Sequence, residues 1–189
     1  MKFFALKISV VLFVLGLIAC CDSTFWVISD YSLEVLDAKL SPSENNSFET
    51  DTLVLHFIPE VKYFTQIENP FTTPAYALSC PERGENGIKE PLAWIKLKSD
   101  HDFNNYPANQ SLNDIVRIYS TISNTFITPE QWVDELNVPY QTSGWLFDYQ
   151  PVYFYIIQKP AETEHTFTLI MHYESGSSIE QSTETIFWQ

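Results

Sequence analysis

The amino-acid sequence predicts a mainly β protein, an immunoglobulin-like β-sandwich with one short helix. Three observations point there. Apolar residues recur in short runs of period two, as in Leu92–Ser99 and His165–Glu174, the spacing of half-buried strands. Eleven prolines are spread along the 189 residues and punctuate those runs. A full set of helix-start signals occurs in one place, at Thr128. No internal repeat or linker divides residues 20–189, which read as a single domain.

Composition narrows the function classes. Aromatics make up 15% of the chain, too many for a disordered protein. Ten Lys+Arg stand against 24 Asp+Glu, a formal charge of −14. Phosphate contacts need a basic surface, so nucleic acid is excluded as a partner. The same charge opposes electrostatic docking on anionic lipid.

Residues 1–19 differ from the rest. Lys2 and Lys7 precede an apolar run from Ile8 to Ala19, the length of a secretory leader and too short for a comfortable span. The run ends Leu17-Ile18-Ala19-Cys20, which resembles the bacterial lipobox. That resemblance implies cleavage before Cys20 and acylation of its thiol by chains such as palmitate. Each buried CH₂ contributes about 0.8 kcal/mol, so two or three chains anchor stably. The expected protein is an envelope lipoprotein, with residues 20–24 as its anchor segment. Position +2 is Cys21 rather than an aspartate, which favours the outer membrane. Removing the leader leaves 8 cationic against 24 acidic residues, a charge of −16. The lipid would then do the holding that charge cannot.

The elements follow in order. Cys21–Leu40 reads as extended chain with weak periodicity, and Ser41–Thr50 as a polar loop. Thr52–Ile58 is a strand with both faces mostly apolar, which Pro59 ends or bulges. Asn69–Asn86 is irregular, with Ala75–Cys80 a strand or a helical turn. Leu92–Ser99 is a strand with Ile95 and Leu97 inward and Lys96 and Lys98 outward. After the loop Asp100–Asn109, Ser111–Asp114 can cap a short helix ahead of a strand, Ile115–Ile122. Thr128-Pro129-Glu130-Gln131 is a capping box with Pro at the first helical position. Trp132, Val133 and Leu136 form the apolar face, and Asn137 and Pro139 stop the helix. Val152–Ile157 is apolar on both faces, as a central strand is. His165–Glu174 alternates, Ser175-Gly176-Ser177 turns, and Ser182–Gln189 returns as its hairpin partner.

Several short motifs extend the resemblance. Cys-Asp follows the lipobox, then come Pro74–Cys80, Ile95–Asp102 leading to Ser111–Asp114, and the strand from His165 with its hairpin. Together they resemble a family of small Gram-negative lipoproteins built on a domain of unknown function. The resemblance implies no activity and no site residues. Beyond Cys20, two cysteines remain, Cys21 and Cys80. An oxidising compartment permits a disulfide between them, worth about 4 kcal/mol by loop closure. Two free thiols are the alternative, and the resemblance favours the bridge.

No catalytic signature such as HExxH, CxxC or GxSxG occurs in the sequence. His165 and His172 fall on opposite faces, and His56 reads as a satisfied or exposed strand residue. Asp100, Asp102 and Asn104 sit at positions 1, 3 and 5 of a calcium loop. Asn105 and Ser111 stand where that loop needs Gly and Glu, so an ordinary polar loop is expected and no metal or cofactor. Glu130, Asp134 and Glu135 read as a solvated helix face, and Glu162, Glu164, Glu174, Glu180 and Glu184 as decoration of the C-terminal hairpin.

Trp94, Trp132, Trp145, Tyr140, Tyr149, Tyr153 and Tyr155 offer a protein or glycan platform, although most should be core. The loop Pro139–Gln150 is the best exposed stretch, with Tyr140, Trp145, Phe147 and Tyr149 as the candidate partner surface. Asp22-Ser23-Thr24 and Asp51-Thr52-Leu53 resemble an O-glycosylation triplet. The expected function is a non-catalytic binding or assembly module held to the envelope by lipid. An anchored glycan hydrolase and a purely structural role are the alternatives.

Overall fold

A computed structural model describes residues 23–43, 45–66, 84–138 and 151–188. The leader, Cys20, Cys21, Cys80 and the loop with Tyr140, Trp145, Phe147 and Tyr149 lie outside the described residues, as does Ala75–Cys80.

The fold is mainly β. Its strands are β1 (Ser23–Leu36), β2 (Ser47–Phe48), β3 (Leu53–Gln66), β4 (Leu92–Ser99), β5 (Val116–Ser120), β6 (Thr125–Ile127), β7 (Val152–Ile156), β8 (Glu164–His165), β9 (Phe167–Tyr173), β10 (Ser178–Ser182) and β11 (Ile186–Trp188). A 3₁₀ turn, Asn113–Ile115, precedes β5, and helix α1 (Pro129–Asn137) follows β6. A five-stranded sheet runs β1-β3-β7-β5-β6, and two three-stranded sheets run β10-β9-β4 and β2-β11-β8.

The two larger layers share one core. β3 and β7 send Leu53, Leu55, Phe57, Phe154 and Ile156 inward, to meet Ile95, Leu97, Leu169 and Met171 from β4 and β9. The small third sheet closes one end, where His165, Phe167 and Trp188 cluster around Phe103. Helix α1 forms as its sequence dictates. Thr128 Oγ1 accepts from the Gln131 N–H at 3.3 Å, and the Thr128 N–H donates to the Gln131 side chain at 2.9 Å. At nine residues it is too short to stand alone, and burial of Trp132, Val133 and Leu136 holds it.

Three strand expectations are corrected. Pro59 does not end β3, which continues to Gln66. Beyond Phe57 the strand has left β7 and pairs with β1 alone, so a residue without an N–H is tolerated there. The bulge lies opposite, at Ser29 of β1, whose hydroxyl donates to the Glu60 carbonyl at 3.2 Å. The hairpin partner of β9 is β10, reached through Gly176 at φ 89°, and not the chain terminus. β11 instead pairs antiparallel with β8 and parallel with β2, inside the stretch read as a polar loop.

β4 is an edge strand whose free polar groups are met by side chains. Asn137 accepts from the Leu92 N–H at 2.9 Å and donates to its carbonyl at 2.7 Å. Asn113 accepts from the Leu97 N–H at 3.1 Å and donates to the Ile95 carbonyl at 2.8 Å. Two asparagines thus stand in for a neighbouring strand and block edge pairing.

Candidate functional site

Alternation along β3 buries Leu53, Leu55 and Phe57 and turns Val54, His56 and Ile58 to the opposite face. On that outer face, register brings Glu34 of β1, His56 of β3 and Tyr153 of β7 side by side. His56 Nδ1 lies 3.3 Å from the Glu34 carboxylate. Its ring is 4.9 Å from Tyr153, which lies 6.4 Å from Tyr155. Phe126 of β6 meets Tyr155 at 5.2 Å and 88°, and Tyr119 of β5 at 5.4 Å and 71°. One strip of rings therefore crosses four of the five strands, β3, β7, β5 and β6, with Glu34 of β1 at its end. Leu36 and Val54 share the face but are buried. Phe126 is 55% exposed and Tyr119 40%, so the open part lies toward the β5–β6 edge.

The chemistry of the strip is apolar with polar tips. Burial, then the neighbouring Tyr153, raises the Tyr155 phenol above its ordinary value, so it stays a neutral donor. The Tyr119 hydroxyl donates to Asn124. Arg117, in register with Tyr155, turns its guanidinium onto the Asp114 and Val116 carbonyls at 3.0 and 2.6 Å. The rings stand edge to face or, at His56 and Tyr153, tilted rather than coplanar, which gives a corrugated surface. Such relief suits interdigitating side chains, whereas a sugar stacks on an open ring face.

The structure sorts the other predicted aromatics. Trp132 is core, in contact with Phe57 and Phe154. Trp94 projects from the outer face of β4 and stacks on His172 at 4.7 Å and 20°. Phe126, Tyr119 and His56 were missed as strip members in the sequence. The alternation of Tyr153 and Tyr155 was visible, but their neighbours depend on register across strands far apart in sequence.

A serine–histidine pair also emerges. The Ser99 hydroxyl donates to His165 Nδ1 at 2.8 Å, and His165 Nε2 donates to the Glu162 carbonyl at 3.0 Å. Burial holds the His165 imidazole below its ordinary pKa, hence neutral. Nucleophile and base geometry is present, but both side chains are buried and the second ring nitrogen is committed to backbone. Each polar atom of the buried pair has a partner, as buried polar groups require. Beside it, a hydrogen bond to Asp100 raises the His101 pKa. Burial pulls Asp100 upward, but the Thr166 N–H and His101 outweigh it and hold Asp100 low.

The loop oxygens at calcium-loop positions are occupied by backbone. Asp100 accepts from Thr166 N–H at 2.7 Å, Asp102 from Ala108 N–H at 2.8 Å and Asn104 from Ala161 N–H at 3.0 Å. Among the described residues no cluster of His, Cys, Asp and Glu is arranged to hold a metal ion. Two acids expected to be merely solvated tie α1 down instead. Glu130 accepts from Asn113 at 2.9 Å and Glu135 from Ser120 at 2.6 Å. An open depression of about 380 Å³ is walled by Glu49, Thr50, Asp51 and Lys159.

No family model, curated protein or solved structure matches the chain, so the immunoglobulin-like form of the sandwich gains no support from a relative.

Proposed function

We propose that this chain is a lipid-anchored envelope protein that works as a non-catalytic binding module. The anchor reading rests on Leu17–Cys20, and the outer membrane is the favoured location. The observation that carries the binding reading is the ring strip His56–Tyr153–Tyr155–Phe126–Tyr119. It is rich in aromatics, with charge confined to Glu34 at one end and Arg117 beside Tyr155, on a chain of formal charge −14, the compositional contrast of an interface core. Its corrugation favours a protein partner over a glycan.

Two measurements test this. Metabolic palmitate labelling should mark the protein and fail on Cys20→Ala. A photo-crosslinking residue at position 126 in cells should give one discrete adduct, absent from the same probe at exposed Phe187 on the third sheet. The purified partner should then bind the protein and lose affinity to Phe126→Ser. Equal or no adducts at the two positions count against the strip.

One observation favours a second reading, an envelope glycan hydrolase: Glu49 and Asp51 share one opening. Glycoside hydrolysis needs two carboxylates flanking the bond, and aromatic stacking is missing from the four residues that wall the depression. Turnover of peptidoglycan fragments that disappears in Glu49→Gln would establish it.

A further inference from the structure

The start of β1 sets a geometric limit. Ser23 lies three residues after Cys20, and three residues span at most about 10 Å. A lipid on Cys20 leaves almost no tether. The end of the β1–β3 ribbon where Ser23 pairs with Gln66 is then held at the headgroups.

The faces of that ribbon end differ. Cross-strand partners share a face. Trp26 with Tyr63 and Ile28 with Val61 turn inward, and Trp26 and Ile28 are buried. Phe25 with Phe64 and Val27 with Lys62 turn outward, and Phe64 is 39% exposed. The segment after Gly84 runs beside β1, with Trp26 N–H donating to the Gly87 carbonyl at 3.1 Å and Lys89 N–H to the Trp26 carbonyl at 2.7 Å. That placement sets the Lys89 ammonium 4.3 Å from the Phe64 ring centroid. Phe64 exposed beside half-buried Phe25, rimmed by lysines, is a composition that suits a membrane surface, where phenyl rings enter the headgroup–acyl boundary and the ammonium reaches phosphate. Glu60 lies 3.5 Å from Lys62, so the rings supply the contact and the lysines orient it.

We infer that Phe25, Val27 and Phe64, with Lys62 and Lys89 at the rim, seat on the bilayer that holds the Cys20 lipid. The domain then stands on one fixed end instead of swinging on a leash. The inference rests on the anchored reading proposed above and is independent of the aromatic strip. The bulge at Ser29 adds twist between this end and the body of the sheet.

The test uses the full lipidated protein in vesicles of phosphatidylethanolamine and phosphatidylglycerol, treated with a water-soluble acetylating reagent and read by peptide mass spectrometry. Acetylation of Lys62 and Lys89 should be lost while Lys39 and Lys159 react. In Phe64→Glu, an exposed position, the protein should still sediment with vesicles while both lysines react again. Lys62 and Lys89 reacting like Lys39 and Lys159 in the anchored wild type overturns the inference and leaves the anchor intact. A Cys20 peptide without acyl mass, with no sedimentation, overturns the anchor and the inference together.

Discussion

The Tyr173 hydroxyl donates to the Ile28 carbonyl at 2.7 Å, across the core from one large sheet to the other. Tyr31 makes the reciprocal link, giving its hydroxyl to the Leu169 carbonyl and accepting the Gln181 N–H at 3.2 Å. Two phenols therefore join the layers by bonding backbone groups of the facing sheet. Tyr173→Phe keeps the ring and removes this donor from the Ile28 carbonyl. The expected cost is about 1–2 kcal/mol, read as a lower urea midpoint at unchanged slope.

The same contact predicts an alkaline limit. Burial pushes the Tyr173 phenol up to about 12 from an ordinary value of 10.0. The folded state thus holds its proton longer than the unfolded chain. The stabilisation is complete below pH 10 and is lost as pH rises through about 12. Urea midpoints measured upward from pH 9 should fall across that window. In Tyr173→Phe they should fall less.

His165 and His101 are neighbours with opposite titration. Burial lowers His165, so its contribution is present above the unfolded value of 6.5 and lost as pH falls through its folded pKa. The Asp100 hydrogen bond raises His101, whose contribution is present below 6.5 and lost as pH rises through its folded pKa. Imidazole resonances followed by NMR should therefore titrate on opposite sides of 6.5, with His165 the lower. Ser99→Ala leaves His165 Nδ1 without its donor and should cost about 1–2 kcal/mol at pH 7.

How far the sequence discloses the fold depends on how local the cause is. The capping box of α1 and the alternation of β4 and β9 are local, and they appear as expected. β1 shows weak periodicity because the Ser29 bulge resets its alternation. Trp26 and Ile28 face the core before it, and Tyr31, Leu33 and Val35 after it. The pairing of β11 with β2 and β8, and the placement of the local Tyr119–Phe126 hairpin pair beside Tyr155, are set by long-range register. No pattern within a single strand encodes it. The candidate site was half legible for that reason: Tyr153 and Tyr155 alternate visibly, but the residues that extend their strip do not.

Backbone strain marks one improvable position. Leu40 adopts φ 62°, whereas the other non-glycine residues of positive φ among those described are Asn46, Asn104, Asn109 and Asn124. A leucine side chain there crowds its own carbonyl, at roughly 1–2 kcal/mol, and asparagine tolerates the region better. Leu40 is exposed, so little burial is forfeited. Leu40→Asn should stabilise the fold by about 0.5–1 kcal/mol, a rise of roughly 2 °C in Tm by calorimetry.

The asparagine bracket on β4 gives the most local test of how the layers are held. Asn137 closes both hydrogen bonds of Leu92, and Asn113 serves Ile95 and Leu97 while also reaching Glu130 on α1. Leu92 is buried, so its N–H and carbonyl have little recourse to water once the amide is gone. Asn137→Ala should cost about 2–3 kcal/mol, more than the roughly 1 kcal/mol expected of the cap mutant Thr128→Ala. Asn137→Asp keeps the acceptor for the Leu92 N–H but sets a carboxylate against its carbonyl. Its stability should therefore lie near that of Asn137→Ala at neutral pH and recover in acid, where the protonated carboxyl donates. Hydrogen exchange at the Leu92 amide reads this directly. Fast exchange in Asn137→Ala, with Leu169 on the opposite strand still protected, is the expected pattern. Equal protection of Leu92 in the mutant and the wild type would show that the bracket does not hold the edge.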